Sequence, residues 1–295
     1  PTTQPSARSA NRERRLSSPV PGLLRLLGKT APERVGARAG TAMCRIIKLT
    51  IAYEGTDYVG WQRQPNGQSI QRQLEEALGR LEGAPVTVIG AGRTDAGVHA
   101  LGQVAGARLT HPIAVTKLAR ALNAMLPADI RILEAVEAPP GFDARGSVVG
   151  KVYRYRIVSG VIVSPFERRY AWHVTYELDC AAMRDGSEVL LGEHDFVGFQ
   201  ATGSDVRTTV RRIDRLDVVE TELSRAEGGG QLVTIEVEGN GFLRHMVRAI
   251  VGTLVEVGAQ RRKPASVGQV LVSGDRAAAG PTAPPEGLCL LRVNY

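Results

Sequence analysis

The sequence predicts an α+β protein, two related antiparallel sheet-and-helix halves around a central cleft. Segments of alternating apolar and polar residues recur along both halves of the chain. Each half also carries two stretches with helical spacing, and the second adds a shorter one. No short repeat period runs through the sequence, which argues against a solenoid.

The first half spans residues 43–147. Ile46–Tyr53 reads as a strand with Leu49, Ile51 and Tyr53 on one face. A loop with Gly55, Gly60, Pro65 and Gly67 follows. Ser69 is the expected N-cap of a helix through Glu82. Ile70, Leu74, Ala77, Leu78 and Leu81 form its buried stripe, and Gly83 ends it. Strand-like Val86–Ile89 leads into a tight loop, Gly90–Gly97. A strand near Ala100–Leu109, a helix near Val115–Met125 and a strand at Ile130–Val136 complete this half.

The second half spans residues 148–295. Val148–Val158 alternates as a strand should. A helix is expected over Cys180–Leu191, then strands over Ile213–Glu222 and Gln231–Val237. The strongest helical pattern covers Gly241–Val257. A shorter helix near Pro264–Val272 and a strand near Leu288–Val293 finish the chain.

The 295 residues are 43% apolar and 23% charged, enough to bury a sizeable core. No apolar run reaches the roughly 18 residues that span a bilayer, so no membrane partner is expected. Residues 1–42 hold eight basic and two acidic residues, which is +6 of the net +7 and leaves +1 for the body. Their Arg, Ser, Pro, Ala and Gly content cannot offset ordering entropy, so a disordered or non-native extension is expected. An Arg-rich, acid-poor segment also resembles an organelle transit peptide. An extension upstream of a start at Met43 is the favoured reading, because a strand begins directly after it. Cys44, Cys180 and Cys289 are far apart and lack metal-ligand spacing, as do the five histidines. Reduced thiols in a cytoplasmic protein without a metal site are expected.

Gly90-Ala-Gly-Arg93-Thr-Asp95-Ala-Gly97-Val-His99 is the most informative stretch. Its glycines permit close approach of backbone to a ligand, and Arg93 and Asp95 can project into one cleft. On spacing alone, a surface turn with a local ion pair is the favoured reading. The Lys-Ser/Thr ending of a phosphate-binding loop is missing.

Gly-Arg-Thr-Asp-Ala-Gly-Val-His at 92–99 resembles the active-site signature of the tRNA pseudouridine synthase A (TruA) family. Tyr53–Gln64 is similar to that family's first strand and loop, and Lys151-Val-Tyr153-Arg-Tyr155 to its Lys-x-Tyr-x-Tyr segment. Gly192–Phe196 resembles its His-Asp-Phe turn, Gly241–Gly252 its long helix and Ala283–Leu288 its C-terminal loop. The segments follow the family's order from about Ile46 to Tyr295.

The resemblance implies the pseudouridine synthase fold with a central RNA-binding cleft. It implies an isomerase that converts uridine to pseudouridine in the anticodon stem-loop of tRNA, at nucleotides 38, 39 and 40. It further implies a homodimer and no metal or redox cofactor. Asp95 matches the catalytic aspartate, attacking either uracil C6 or ribose C1′. Arg248 is the candidate charge partner of Asp95, since a nearby cation favours an ionised carboxylate. On a helix, Arg244, Arg248 and Gly252 would share one face, opposite Phe242, Met246, Ile250 and Leu254. For Arg244, RNA contact and plain solvation stand equal. Tyr153 matches the tyrosine that stacks on the extruded base, although Tyr155 shares its strand face. Arg93 is expected to fill the space of the flipped nucleotide or hold its phosphate; pairing with Asp95 is the alternative. Leu288 is expected to pack over the uracil. His99 and His194 are read as structural. Arg207, Arg211, Arg212, Arg215, Arg168, Arg169, Arg261, Arg262 and Lys263 suggest a phosphate-binding patch.

Overall fold

The computed structural model describes residues 43–203 and 206–295. The expectations for residues 1–42 lie outside them. Strand β1 (Arg45–Tyr53) buries Ile47, Leu49, Ile51 and Tyr53 and leaves the alternate residues half-exposed. Helix α1 (Ile70–Glu82) starts where Ser69 Oγ accepts from Arg72 N at 3.3 Å. It stops at Gly83, whose φ of 76° a β-carbon would penalise. Then come β2 (Val88–Gly90), β3 (His99–Leu109), α2 (Val115–Met125) and β4 (Ile130–Glu137). The second half runs β5 (Gly150–Ser159), β6 (Trp172–Val174), α3 (Cys180–Ser187), β7 (Gly192–Asp195) and β8 (Val210–Glu222). It ends with β9 (Gln231–Gly239), α4 (Met246–Gly258), α5 (Ser266–Ser273) and β10 (Leu288–Asn294).

One ten-stranded sheet joins both halves in the order β4-β1-β3-β10-β5-β9-β8-β7, with β2 beside β3 and β6 beside β5. The last strand therefore lies in the middle. Strand β10 runs antiparallel to β5 but parallel to β3, through Cys289 opposite His99 and Leu290 opposite Ala100. Parallel neighbours begin at the same end of a sheet. The loop entering β3 and the segment entering β10 thus lie side by side, and a β-carbon on Gly97 would come within 3.0 Å of Pro285. That junction is where the site forms.

The core is built from one face of the sheet and the helices laid on it. On the opposite face, Arg154, Arg156, Arg215, Asp217 and Glu236 line a hollow of about 910 Å³. Most of its charges are already matched, Arg154 to Glu236 at 2.6 Å and Arg215 to both Asp217 and Glu236.

Helix α4 departs from expectation. It begins at Met246 and not at Gly241, because His245 takes a left-handed backbone (φ 60°) that a right-handed helix cannot contain. Phe242 and Arg244 therefore lie outside the helix, and the proposed face of Arg244, Arg248 and Gly252 does not exist. The helix is buried on nearly every side instead of along one stripe. Gly252 makes this possible, for a β-carbon there would sit 1.7 Å from the Pro281 carbonyl oxygen. Smaller differences have simple causes. The expected helix to Leu191 ends at Ser187 and closes as a 3-10 turn, Glu188–Leu190. Strands β6 and β7 hold three and four residues, too few to show alternation.

Candidate active site

Asp95 sits in the loop between β2 and β3. Several contacts hold that loop, among them Ala91 N donating to Val104 O at 2.8 Å. Trp61 N donates to Thr94 O at 3.0 Å, and Gly97 N to Tyr58 O at 3.4 Å. The Tyr53 hydroxyl and Thr94 Oγ1 share a hydrogen bond of 2.8 Å. Gln103, fully buried, donates through Nε2 to Gly92 O at 3.0 Å. Burial of these groups makes each bond costly to break. Burial also pushes the Tyr53 phenol above its ordinary range.

The Asp95 side chain is 31% exposed. Its Oδ2 meets Arg248 Nη1 at 3.2 Å and His245 Nε2 at 3.4 Å. Among the described residues, Oδ1 has no hydrogen-bond partner. Arg248 is itself fixed, since its Nε donates to Ala283 O at 2.7 Å and its carbonyl accepts from Ala283 N at 3.0 Å. One rigid guanidinium thereby ties α4 and the segment before β10 to the carboxylate. This is the ion pair expected from the sequence, reached from a buried helix and not from an amphipathic margin.

His245 was not among the expected site residues. Its left-handed backbone, an outlier adopted readily by few non-glycine residues, turns the ring toward Asp95. Burial lowers its pKa below the ordinary 6.5; Asp95 opposes this, and Arg248, Arg244 and Arg276 add to it. Periodicity could not reveal it, because the helical pattern simply ran through position 245.

Tyr153 is buried on β5 with its ring edge-on to Phe242, centroids 5.3 Å apart. Burial first, then the charges of Tyr53 and Asp95, raise its phenol pKa. Tyr155 is committed elsewhere, its hydroxyl donating to Pro284 O at 2.7 Å. The two tyrosines are thus distinct, although the sequence left them equivalent. Leu288 is buried opposite Tyr155 at the start of β10.

Arg93 does not pair with Asp95. It is exposed and lines a cavity of about 470 Å³ with Trp61, Gly90 and Arg145. Arg244 is exposed and donates to the carbonyls of Thr202 and Gly203. The expected basic patch is thinned by ion pairs. Arg212 binds Asp214 at 2.7 Å, Arg169 lies 3.4 Å from Glu54, and Arg262 pairs with Glu256. Arg261 lies over the Tyr176 ring. His99 Nδ1 accepts from Gly55 N at 3.0 Å.

Asp95, held by Arg248 through one oxygen with the other left open, lies at the junction of the two halves, as the resemblance to pseudouridine synthases implies. Comparison with known proteins agrees. Residues 49–145 and 187–295 match the family described as "tRNA pseudouridine synthase". The chain is 46% identical over 250 residues to tRNA pseudouridine synthase A of Syntrophotalea carbinolica, covering 85% of this chain and 96% of that protein. It is 47% identical to the same-named protein of Geobacter sulfurreducens (85% and 100% covered) and 48% identical to that of Myxococcus xanthus (84% and 91%). Among solved structures, a chain of "Crystal Structure of a Cbf5-Nop10-Gar1 Complex" is 14% identical with a TM-score of 0.33. It covers 83% of this chain, which spans about half (48%) of that one. The chain belongs to the tRNA pseudouridine synthase family.

Proposed function

We propose that this protein isomerises uridine to pseudouridine in the anticodon stem-loop of tRNA, at nucleotides 38, 39 and 40, with Asp95 as the attacking carboxylate. The observation that carries the reading is the grip on Asp95. Arg248 Nη1 hydrogen-bonds Oδ2 and His245 Nε2 lies 3.4 Å from the same oxygen, so Oδ1 is the oxygen presented to substrate. Attack falls on uracil C6 or ribose C1′, and both routes need an ionised, oriented carboxylate. The N1–C1′ bond breaks, the base turns, and C5 bonds to C1′; the Asp95 carboxylate leaves, displaced from C1′ by C5 on one route or eliminated from C6 on the other. C5 loses its proton and N1 gains one, so no redox equivalent is consumed.

Reaching C1′ or C6 requires the nucleotide to leave the stack. Tyr153, beside Asp95, supplies an aromatic surface for the base, and Leu288 an apolar one next to it. Exposed Arg93 is placed to occupy the vacated space or meet the phosphate. We further propose a cytoplasmic homodimer, the form the family resemblance implies. Among the described residues, no helix is long and apolar enough to cross a membrane.

Tritium release from tRNA carrying 5-tritiated uridine tests the activity, because the C5 hydrogen leaves only when the base is reattached through C5. Release that persists after uridines 38, 39 and 40 are replaced would reassign the target. No release from any tRNA would remove the proposal. Sedimentation at micromolar concentration reads the dimer.

A further inference from the structure

We propose that Lys151, Arg145 and Arg211 form an anion site that takes a phosphodiester of the RNA strand beside the target nucleotide. The proposal rests on the reading of tRNA as substrate and adds a positioning site to it.

Lys151 lies on β5 two residues before Tyr153, so both side chains leave the same sheet face. Its Nζ rests over the loop that carries Asp95. A β-carbon on Gly92 would come within 2.5 Å of that nitrogen, so glycine makes the seat. The side chain is half-buried, yet among the described residues its amine has no hydrogen bond and no carboxylate partner. The charges acting on it are those of Arg145 and Arg211, both of like sign. Arg211 is occupied only by carbonyls, Thr208 O at 2.9 Å and Val210 O at 2.6 Å, and its chain lies against Gly241. Arg145 is exposed and lines the same cavity as Arg93. The nearby carboxylate of Asp143 is engaged by the backbone amides of Arg145 and Gly146 at 2.7 Å.

Several arginines elsewhere meet acids, Arg72 with Glu76, Arg154 with Glu236, Arg156 with Glu167 and Arg184 with Glu220, while Arg244 and Arg131 donate to carbonyls. Among the described residues none of the three cations makes an ion pair, although the charge of Arg145 acts on Asp143; collected so, with one partly desolvated, they repel one another and cost stability. Burial, then the two arginines, pull the Lys151 amine down to about 8. An arrangement of this kind is relieved when an external anion enters. A phosphodiester fits, because it offers two acceptor oxygens to a point charge and to guanidinium forks at once. Seated next to Gly92, it would fix the backbone of the strand whose base reaches Asp95.

The test is the salt dependence of tRNA affinity for wild type, Lys151→Met, Arg145→Ala and Arg211→Ala, with single-turnover rates measured alongside. A lost phosphate contact lowers the slope of log affinity against log salt by about 0.7–0.9. Lys151→Met should show that drop, and its half-saturating tRNA concentration should rise more than its limiting rate falls. Lys151→Arg should restore the slope. A merely structural lysine would instead lower the melting temperature on replacement and leave the slope alone. Unchanged slope and affinity in Lys151→Met overturn the site. Should that variant not fold, an unchanged slope in both arginine variants overturns it equally. Tritium release by wild type separates the two readings. Turnover with an unaltered slope defeats the phosphate site alone, and absent turnover defeats the activity whatever the slope.

Discussion

Arg248 meets Asp95 across 153 residues of sequence, Nη1 to Oδ2 at 3.2 Å, while the other side of its guanidinium is pinned to Ala283 O. The arginine is 12% exposed, so its charge is poorly screened by solvent. Arg248→Ala removes the charge and the bridge from α4 to the segment before β10. Turnover should fall by about 100-fold or more, roughly 2.7 kcal/mol, as expected when one partner of a largely buried pair is deleted. Arg248→Lys should recover only part, since a point charge cannot serve Asp95 and Ala283 together. Single-turnover rates of both variants check this. Full activity in Arg248→Lys would show that the fork geometry is irrelevant.

Asp95→Asn keeps the shape of the side chain and removes the nucleophile. Isomerisation should disappear, while tRNA affinity stays within about tenfold, roughly 1.4 kcal/mol. Affinity for RNA comes chiefly from phosphate contacts, and a carboxylate supplies none. Filter binding and tritium release on the same preparation separate the two effects. Residual turnover above a few per cent of wild type would place the reacting carboxylate elsewhere.

His245 combines a backbone requirement with a side-chain contact, and two substitutions divide them. Asparagine tolerates the left-handed conformation but lacks the reach of the ring to Asp95. Alanine loses both. His245→Asn should cost little stability yet lower turnover, and His245→Ala should lower both, losing a further ~1 kcal/mol of stability. Thermal melts and single-turnover rates report the two components. If His245→Asn retains the wild-type rate, the ring contributes nothing to holding Asp95.

Much of this fold is legible in residues whose chemistry acts locally. Ser69 and Gly83 bracket α1 because a hydroxyl can cap a helix and a glycine can turn left-handed. Strand β1 announces itself through Ile47, Leu49, Ile51 and Tyr53, since a period of two has one meaning when one face is buried. Asp95 and Arg248 stand in recognisable segments, yet their contact is not legible locally, because no local rule joins positions 153 residues apart. The start of α4 was missed because apolar spacing continues through Phe242 and Leu243, while the backbone breaks at His245. Lys151 lies in the Lys-x-Tyr-x-Tyr segment, where nothing in the sequence singles it out. Its lack of a partner is a property of three-dimensional surroundings that sequence does not display.

Lys151 also leaves a mark on stability that needs no RNA. Its amine titrates at about 8 in the folded protein, against 10.5 ordinarily. Between those values the unfolded chain binds more protons, so unfolding free energy rises with pH. The penalty for burying the charge is complete below pH 8 and lifts as pH climbs from 8 towards 10.5. Tyr53, Tyr58, Tyr153, Tyr155 and Tyr295 have raised pKa values and act in the opposite sense at higher pH. They are common to wild type and to Lys151→Met, so the difference between the two isolates the lysine. Lys151→Met should be the more stable protein at pH 7, by an amount on the order of 1–3 kcal/mol. That advantage should shrink steadily as pH is raised from 8 to 10. Urea unfolding of both proteins across this range measures it. Parallel stability curves would mean that the amine takes up its proton alike in the folded and the unfolded chain, and with that would go the case for an unpartnered cation beside Gly92.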